Sequence, residues 1–382
     1  MSVDALDLLK RLIACPSVTP EEAGVLDLLE AELTKIGFTV TRLRFEGDGS
    51  YPVGNLFAIR GSGGRRLLFA GHTDVVPPGD LANWTADPFV AREAGGKLYG
   101  RGAADMKSGI AAFVAAASAV PADSGTVMLA ITNDEEADSI NGTDKLMTWA
   151  QAQQQHFDFA IVGEPSATAR VGDSIKIGRR GSFSGLITVT GTQGHVAYPD
   201  KANNPLPVLA RIVTALETPI DAGTEHFPAS NLEVTSIDVG NATGNVIPAA
   251  GTIRFNIRYN DLWTPDTLAA WVRERIASVD PKGAEIAFTV SGVPSRSFLS
   301  PLSDDVETLS ATIETLTGHR PQFSTGGGTS DARFIAEYGP VVECGLVGPS
   351  MHKADEHIAI ADLANLTEIY RSFMLRFFGG VA

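Results

Sequence analysis

Residues 66–119 constrain this chain more than any other stretch. They open on a short apolar run, residues 67–70, that reads as a buried strand delivering His72 and Asp74 at its C-terminal end. A spacer containing Trp84 and Tyr99 leads to Gly100-Arg101-Gly102, and Asp105 then stands just before an Ala-rich helix. A carboxylate there faces the positive end of the helix dipole. Active sites of open α/β sheets form at the C-terminal edge of the strands, so one imidazole and two carboxylates converge where chemistry is expected.

Two more acidic signals follow apolar strands. Asp134-Glu135-Glu136 comes after residues 127–132, and Glu164 comes after residues 159–162. His352, near the C-terminus, completes a set of His, Asp, Glu, Glu and His. Taken singly, each reads as a solvated charge or a structural imidazole. The set gains weight because separate strands and loops each end in a potential ligand. Mixed nitrogen and oxygen donors suit a hydrolytic zinc centre, with one carboxylate shared if two metals bind. The acidic run lets one carboxylate ligate metal while its neighbour acts on water; the plainer reading is an acidic turn at a strand end.

The 382 residues leave room for two domains and a large core. No apolar run approaches the roughly 18 residues of a membrane span, and the first residues lack the regions of a signal peptide. A soluble, cytoplasmic protein without a membrane partner is therefore expected. Cys15 and Cys344 stand far apart, which indicates neither a disulfide framework nor a thiolate zinc site. A formal charge of −15 argues against a nucleic-acid partner, while Arg179-Arg180 leaves room for an anionic small molecule.

The periodicity predicts a helix over residues 4–14 and another starting at Thr19-Pro20 and ending near Gly37. Strands at 38–45, 55–60 and 66–71 then lead into a strand, helix, strand repeat as far as Glu164, the pattern of a mostly parallel α/β sheet. After Gly172 the pattern changes. Strand 183–191, helix 205–217, strands 231–239 and 252–259, helix 264–279 and strand 285–290 give β-α-β-β-α-β, a ferredoxin-like split βαβ unit. From Ser303 the chain returns through a helix, a Gly-rich turn, a short strand at 341–346 and a last helix over 361–378. The expected domains are 1–178 and 294–382, together forming one catalytic domain, and the insertion 179–293.

GHTDVVPPGD, GRGAADMKSG, NDEE, VGEPS, GRRGS, GTQGHVAYP, NVIP, GGTSDARF and MHKADE occur in that order over nearly the whole chain. With them the chain resembles the di-zinc metallohydrolases of the aminoacylase and carboxypeptidase-G2 type. The resemblance implies two Zn2+ per subunit, with Co2+ able to substitute in one site. Asp105 would bridge the ions, with His72 and Glu164 on one and Glu136 and His352 on the other. Glu135 would be the general base and proton shuttle, and Asp74 the carboxylate that orients the His72 imidazole. The peptide after Asp105 is cis in that family.

The same resemblance makes the insertion a dimerisation domain and the protein a homodimer. His195 would reach the partner subunit's site as an oxyanion donor, with Asn245 presented across the dimer. Arg179, Gly328 and Thr329 would hold a substrate carboxylate. The implied substrate is a small dicarboxylate amide, N-succinyl-LL-2,6-diaminopimelate, hydrolysed to succinate and LL-2,6-diaminopimelate for lysine and peptidoglycan-precursor synthesis. GRRGS favours a dianionic acyl group over acetyl. Two other readings stand beside it: a different N-acyl amino acid deacylase, such as one acting on acetylornithine, and a non-catalytic metal-binding oligomer. Gly244 and Gly348 depart from the family's pattern, in which asparagines are usual.

Overall fold

The computed structural model describes residues 2–380. They form two compact units, residues 2–177 with Ser300–Ser324 and residues 330–380, and Gly178–Leu299 with Thr325–Thr329. The chain opens with α1 (Ala5–Ile13), whose Asp4 cap accepts from the Asp7 N–H, and α2 (Val25–Lys35). The helix expected to start at Thr19-Pro20 is corrected here. Thr19 Oγ1 donates to Asp74 Oδ2 at 2.9 Å and the Thr19 N–H donates to Val75 O, so the candidate cap is used by another loop. The helix begins only after Gly24, which adopts a left-handed φ of 76°.

The first unit continues with β1 (Thr39–Gly47), β2 (Ser50–Arg60), β3 (Arg66–His72), β4 (Lys97–Tyr99), α3 (Lys107–Ala119), β5 (Thr126–Thr132), α4 (Thr143–Ala152), β6 (Phe159–Val162) and β7 (Ser174–Lys176). The second unit contributes β8 (Gly181–Thr190), β9 (Gly194–His195), α5 (Leu206–Leu216), β10 (Asn231–Asp238), β11 (Val246–Ile247), β12 (Ala250–Tyr259), α6 (Pro265–Ala277) and β13 (Glu285–Ser295). The chain then returns to the first unit through α7 (Asp304–Thr317), β14 (Gln322–Ser324), α8 (Ala332–Ile335), β15 (Val341–Glu343), β16 (His357–Ala359) and α9 (Ile360–Phe377).

An eight-stranded sheet in the order β1-β2-β5-β3-β6-β15-β7-β14 organises the first unit. Its centre is parallel, with β3 flanked by β5 and β6, while β1 and β2 run antiparallel at one edge. The central strands are buried almost end to end, as continuous apolar runs covered on both faces must be. Phe69 of β3 stacks on Phe113 of α3 with centroids 4.2 Å apart, and Tyr370 of α9 meets both edge-on. Helix α3 is Ala-rich and buried from Lys107 to Ala117, so small side chains let it lie close on the sheet.

The second unit is a four-stranded antiparallel sheet in the order β10-β12-β8-β13. Alternation along β12 sends Ile253, Phe255 and Ile257 inward to meet Leu209 and Ile212 of α5 and Leu268 and Val272 of α6. The Gly-rich segment Thr325–Thr329 clusters with this unit although its flanks belong to the other.

Candidate active site

The site forms at the C-terminal ends of β3, β5 and β6, where glycines set how closely the elements approach. A Cβ on Gly109 would lie 2.3 Å from Gly163 O, and one on Gly71 would lie 2.5 Å from Met106 Cε. Glycine at both positions lets the start of α3 close on the strand ends, and the His72 N–H donates to Met106 Sδ at 3.3 Å. That approach puts Asp105 among the ligand candidates delivered by β3 and β6. The Asp105–Met106 peptide is cis.

Asp105 is 8% exposed and its two oxygens look in different directions. Oδ1 lies 3.2 Å from His72 Nε2, and Oδ2 lies 3.3 Å from His352 Nε2. Glu164 Oε1 is 3.6 Å from His72 Nε2, and Glu136 Oε1 is 3.0 Å from His352 Nε2. Two groups with ligand atoms within 4.8 Å of one another result, His72 with Asp105 and Glu164, and Asp105 with Glu136 and His352. The donor atoms of His72, Glu135 and Glu136 satisfy the same distance. This is the chemistry of a divalent-cation centre: neutral imidazole nitrogens and carboxylate oxygens, one carboxylate common to two groups. His352 holds a left-handed φ of 61°, uncommon away from glycine and frequent at functional sites.

Without a metal the imidazoles carry the compensating charge. Burial opposes ionisation of Asp105, but hydrogen bonds from His352 and His72 outweigh it and hold the carboxyl well below its usual range. The same contacts, Asp105 first and Glu136 second, push His352 up to about 10. Burial would lower His72, yet Asp105, Asp74 and Glu164 raise it. Glu135 moves the other way. Burial first, then the charge of Glu164, raises it well above the ordinary glutamate value. Burying this much like charge is costly unless cations balance it, so the donor set fits metal ions.

Asp74 has two tasks. Its backbone carbonyl is the near partner of His72 Nδ1 at 2.9 Å, with the carboxylate farther off at 3.5 Å. The carboxylate instead accepts from the N–H groups of Glu135 and Glu136 at 3.0–3.2 Å, which fixes the acidic turn. Asp134, the first acid of that run, turns inward to accept from the N–H groups of Ser139, Ile140 and Asn141 and from the Tyr51 hydroxyl. Three adjacent acids thus have different surroundings.

Sequence reasoning missed Glu356, Arg101 and Asp331. Glu356 and Arg101 are each 1% exposed and paired at 2.7 Å. Asp331 is buried with neither carboxylate oxygen hydrogen-bonded and Arg333 Nη2 3.9 Å from Oδ1; burial, opposed by the Arg333 charge, pushes it up to about 6. The MHKADE and GGTSDARF motifs contain Glu356 and Asp331, which was the available signal.

In the second unit, buried Arg179 donates from Nη1 to Gly328 O at 3.0 Å, and Thr329 is half-buried in the same segment. His195 and Asn245 are exposed together: β9 pairs His195 with Val246, and the Val196 N–H donates to Asn245 O at 3.1 Å.

The model of peptidase family M20/M25/M40 matches residues 68–376. The chain belongs to this family. Members at high identity include a succinyl-diaminopimelate desuccinylase of Beijerinckia indica subsp. indica, 50% identical over 99% of this chain and 100% of that one. One of Rhodospirillum centenum is 50% identical over 100% of this chain and 99% of its own. Among solved structures, an M20 family metallo-carboxypeptidase from Sulfolobus solfataricus shares the fold with a TM-score of 0.78 at 16% identity, covering 98% and 99% of the two chains. A tripeptidase from Staphylococcus aureus does so with a TM-score of 0.78 at 18% identity, covering 99% and 100%. The M20 chain is a hydrolase of the metal-dependent kind, and no helix among its described residues is long and apolar enough to cross a membrane.

Proposed function

We propose that this M20 enzyme hydrolyses N-succinyl-LL-2,6-diaminopimelate to succinate and LL-2,6-diaminopimelate, in the cytoplasm, using two zinc ions per subunit. His72 and Glu164 would hold one ion and Glu136 and His352 the other, with Asp105 shared; cobalt would be accepted in one site. When bound, the ions supply an acidified water and a polarised amide carbonyl. Glu135 takes the proton from the attacking water and returns it to the leaving amine. Asp74 keeps the Glu135 and Glu136 backbones in register.

Arg179, with Gly328 and Thr329, would hold a substrate carboxylate. The second unit would pair with its copy, so that His195 and Asn245 serve the partner's oxyanion and substrate. Their joint exposure on β9 and beside β11 supports this.

The observation that carries the reading is Asp105, whose two oxygens face two separate His and Glu pairs. The 50% identity to full-length desuccinylases supports the substrate. The test is hydrolysis of succinylated against acetylated diamino acids, with metal content measured on the same sample. Succinate release should dominate with zinc present; faster acetate release from acetylornithine would replace the substrate, and metal binding without turnover would remove the enzyme reading.

A further inference from the structure

Residues 100–105, which bring Asp105 to the site, have little regular structure of their own. Their backbone donors converge on one side chain. Glu356 Oε2 accepts from the Gly102 N–H at 3.1 Å and from Arg101 Nη1 at 2.7 Å. Glu356 Oε1 accepts from the N–H groups of Ala104 at 2.8 Å and Asp105 at 3.1 Å. The Glu356 carbonyl also accepts from the Gly100 N–H at 2.9 Å. All of this is buried. Gly102 has a φ of 80°, and a Cβ there would lie 2.7 Å from Val75 Cγ1, so the turn admits no side chain.

Glu356 stands four residues after His352, directly before β16, and β16 pairs with β4, the strand that leads into Gly100. One short segment therefore carries a candidate ligand at one end and, at the other, the clamp on the loop of the shared ligand. We propose that Glu356 is a positioning residue. It locks the Asp105 loop to the His352 loop before metal arrives, so that both ions depend on a residue that touches neither. This rests on the two-metal reading above.

A purely structural carboxylate would support the fold and leave metal affinity alone. A positioning one sets the affinity of both ions together, because Asp105 is shared. Glu356→Gln keeps the shape but turns an NH2 toward one pair of donors, and supporting hydrogen bonds of this kind are typically worth about 10–100-fold in metal affinity. The experiment titrates chelator-stripped wild type, Glu356→Gln and Glu356→Asp with zinc against a competing chelator, and follows the visible absorption of Co2+ as a report on geometry. Asp retains the charge but is one methylene too short to span both donor pairs, so it should fall in the same direction. Both affinities should drop together, by about 10–100-fold, with an altered cobalt spectrum. Unchanged affinities in a variant that has only lost thermal stability would overturn the proposal.

If neither variant folds, hydrogen exchange on stripped wild type decides it. The amides of Gly102, Ala104 and Asp105 should stay protected without metal, and loss of their protection on stripping would mean that metal, and not Glu356, orders the loop. Wild type that binds no metal at all would instead sink the two-metal reading.

Discussion

Oδ2 of Asp105 lies 3.3 Å from Nε2 of His352, although one precedes α3 and the other precedes β16. The opposite oxygen faces His72. Each oxygen of the shared carboxylate faces a different imidazole, so either histidine can be removed while the other keeps its partner, and the first prediction follows from that.

His72→Ala and His352→Ala should each lower the zinc stoichiometry by about one of two, because Asp105 keeps a partner on the other side. Metal analysis after dialysis reads this directly. Two tightly held ions in either variant would take that histidine out of the ligand set.

Glu135→Gln should keep both metals and lose about 10²–10⁴-fold in turnover, the usual worth of a general base. Metal content measured beside activity separates the roles. Since Glu135 is itself within ligand distance of His72 and Glu136, loss of an ion in this variant would make it a ligand.

Asp331 supplies a pH signature for the metal-free protein. Folded, it keeps its proton up to about pH 6; unfolded, it loses it near 3.9. Below that lower value both forms are protonated and the residue contributes nothing. As pH rises through the window the unfolded chain releases its proton first, so stability falls, and above about 6 the full cost is carried. Asp331→Asn should therefore stabilise the chelator-treated protein at pH 8 by on the order of 3 kcal/mol, with the gain vanishing near pH 4. Urea unfolding at the two pH values checks it, and a gain that persists at pH 4 would assign the effect to packing.

Mixing an inactive Glu135→Gln subunit with an inactive His195→Ala subunit should restore part of the activity, because one site of the heterodimer would hold both intact groups. Exchange can be followed with two different affinity tags. Demonstrated exchange with no recovery would mean that His195 does not act in trans.

The sequence by itself determined what depends on neighbours along the chain. The apolar runs of β3, β5 and β6 mark buried strands, the acids after them mark strand ends, and the alternation in β12 separates a buried face from an exposed one. His72, Asp105, Glu164 and His352 stand out as candidate ligands from such local signals, whereas Glu136 is separated from its acidic neighbours only by the family motif. Thr19 misled because its local pattern matches a helix cap, while its hydroxyl is claimed by Asp74 from a loop 55 residues away. The bonding of Glu356, the burial of Asp331 and the inward turn of Asp134 were decided only by the tertiary structure. Which buried N–H a carboxylate satisfies, and which carboxylate is left without a donor, is settled by through-space proximity after packing, and no period in the chain encodes it.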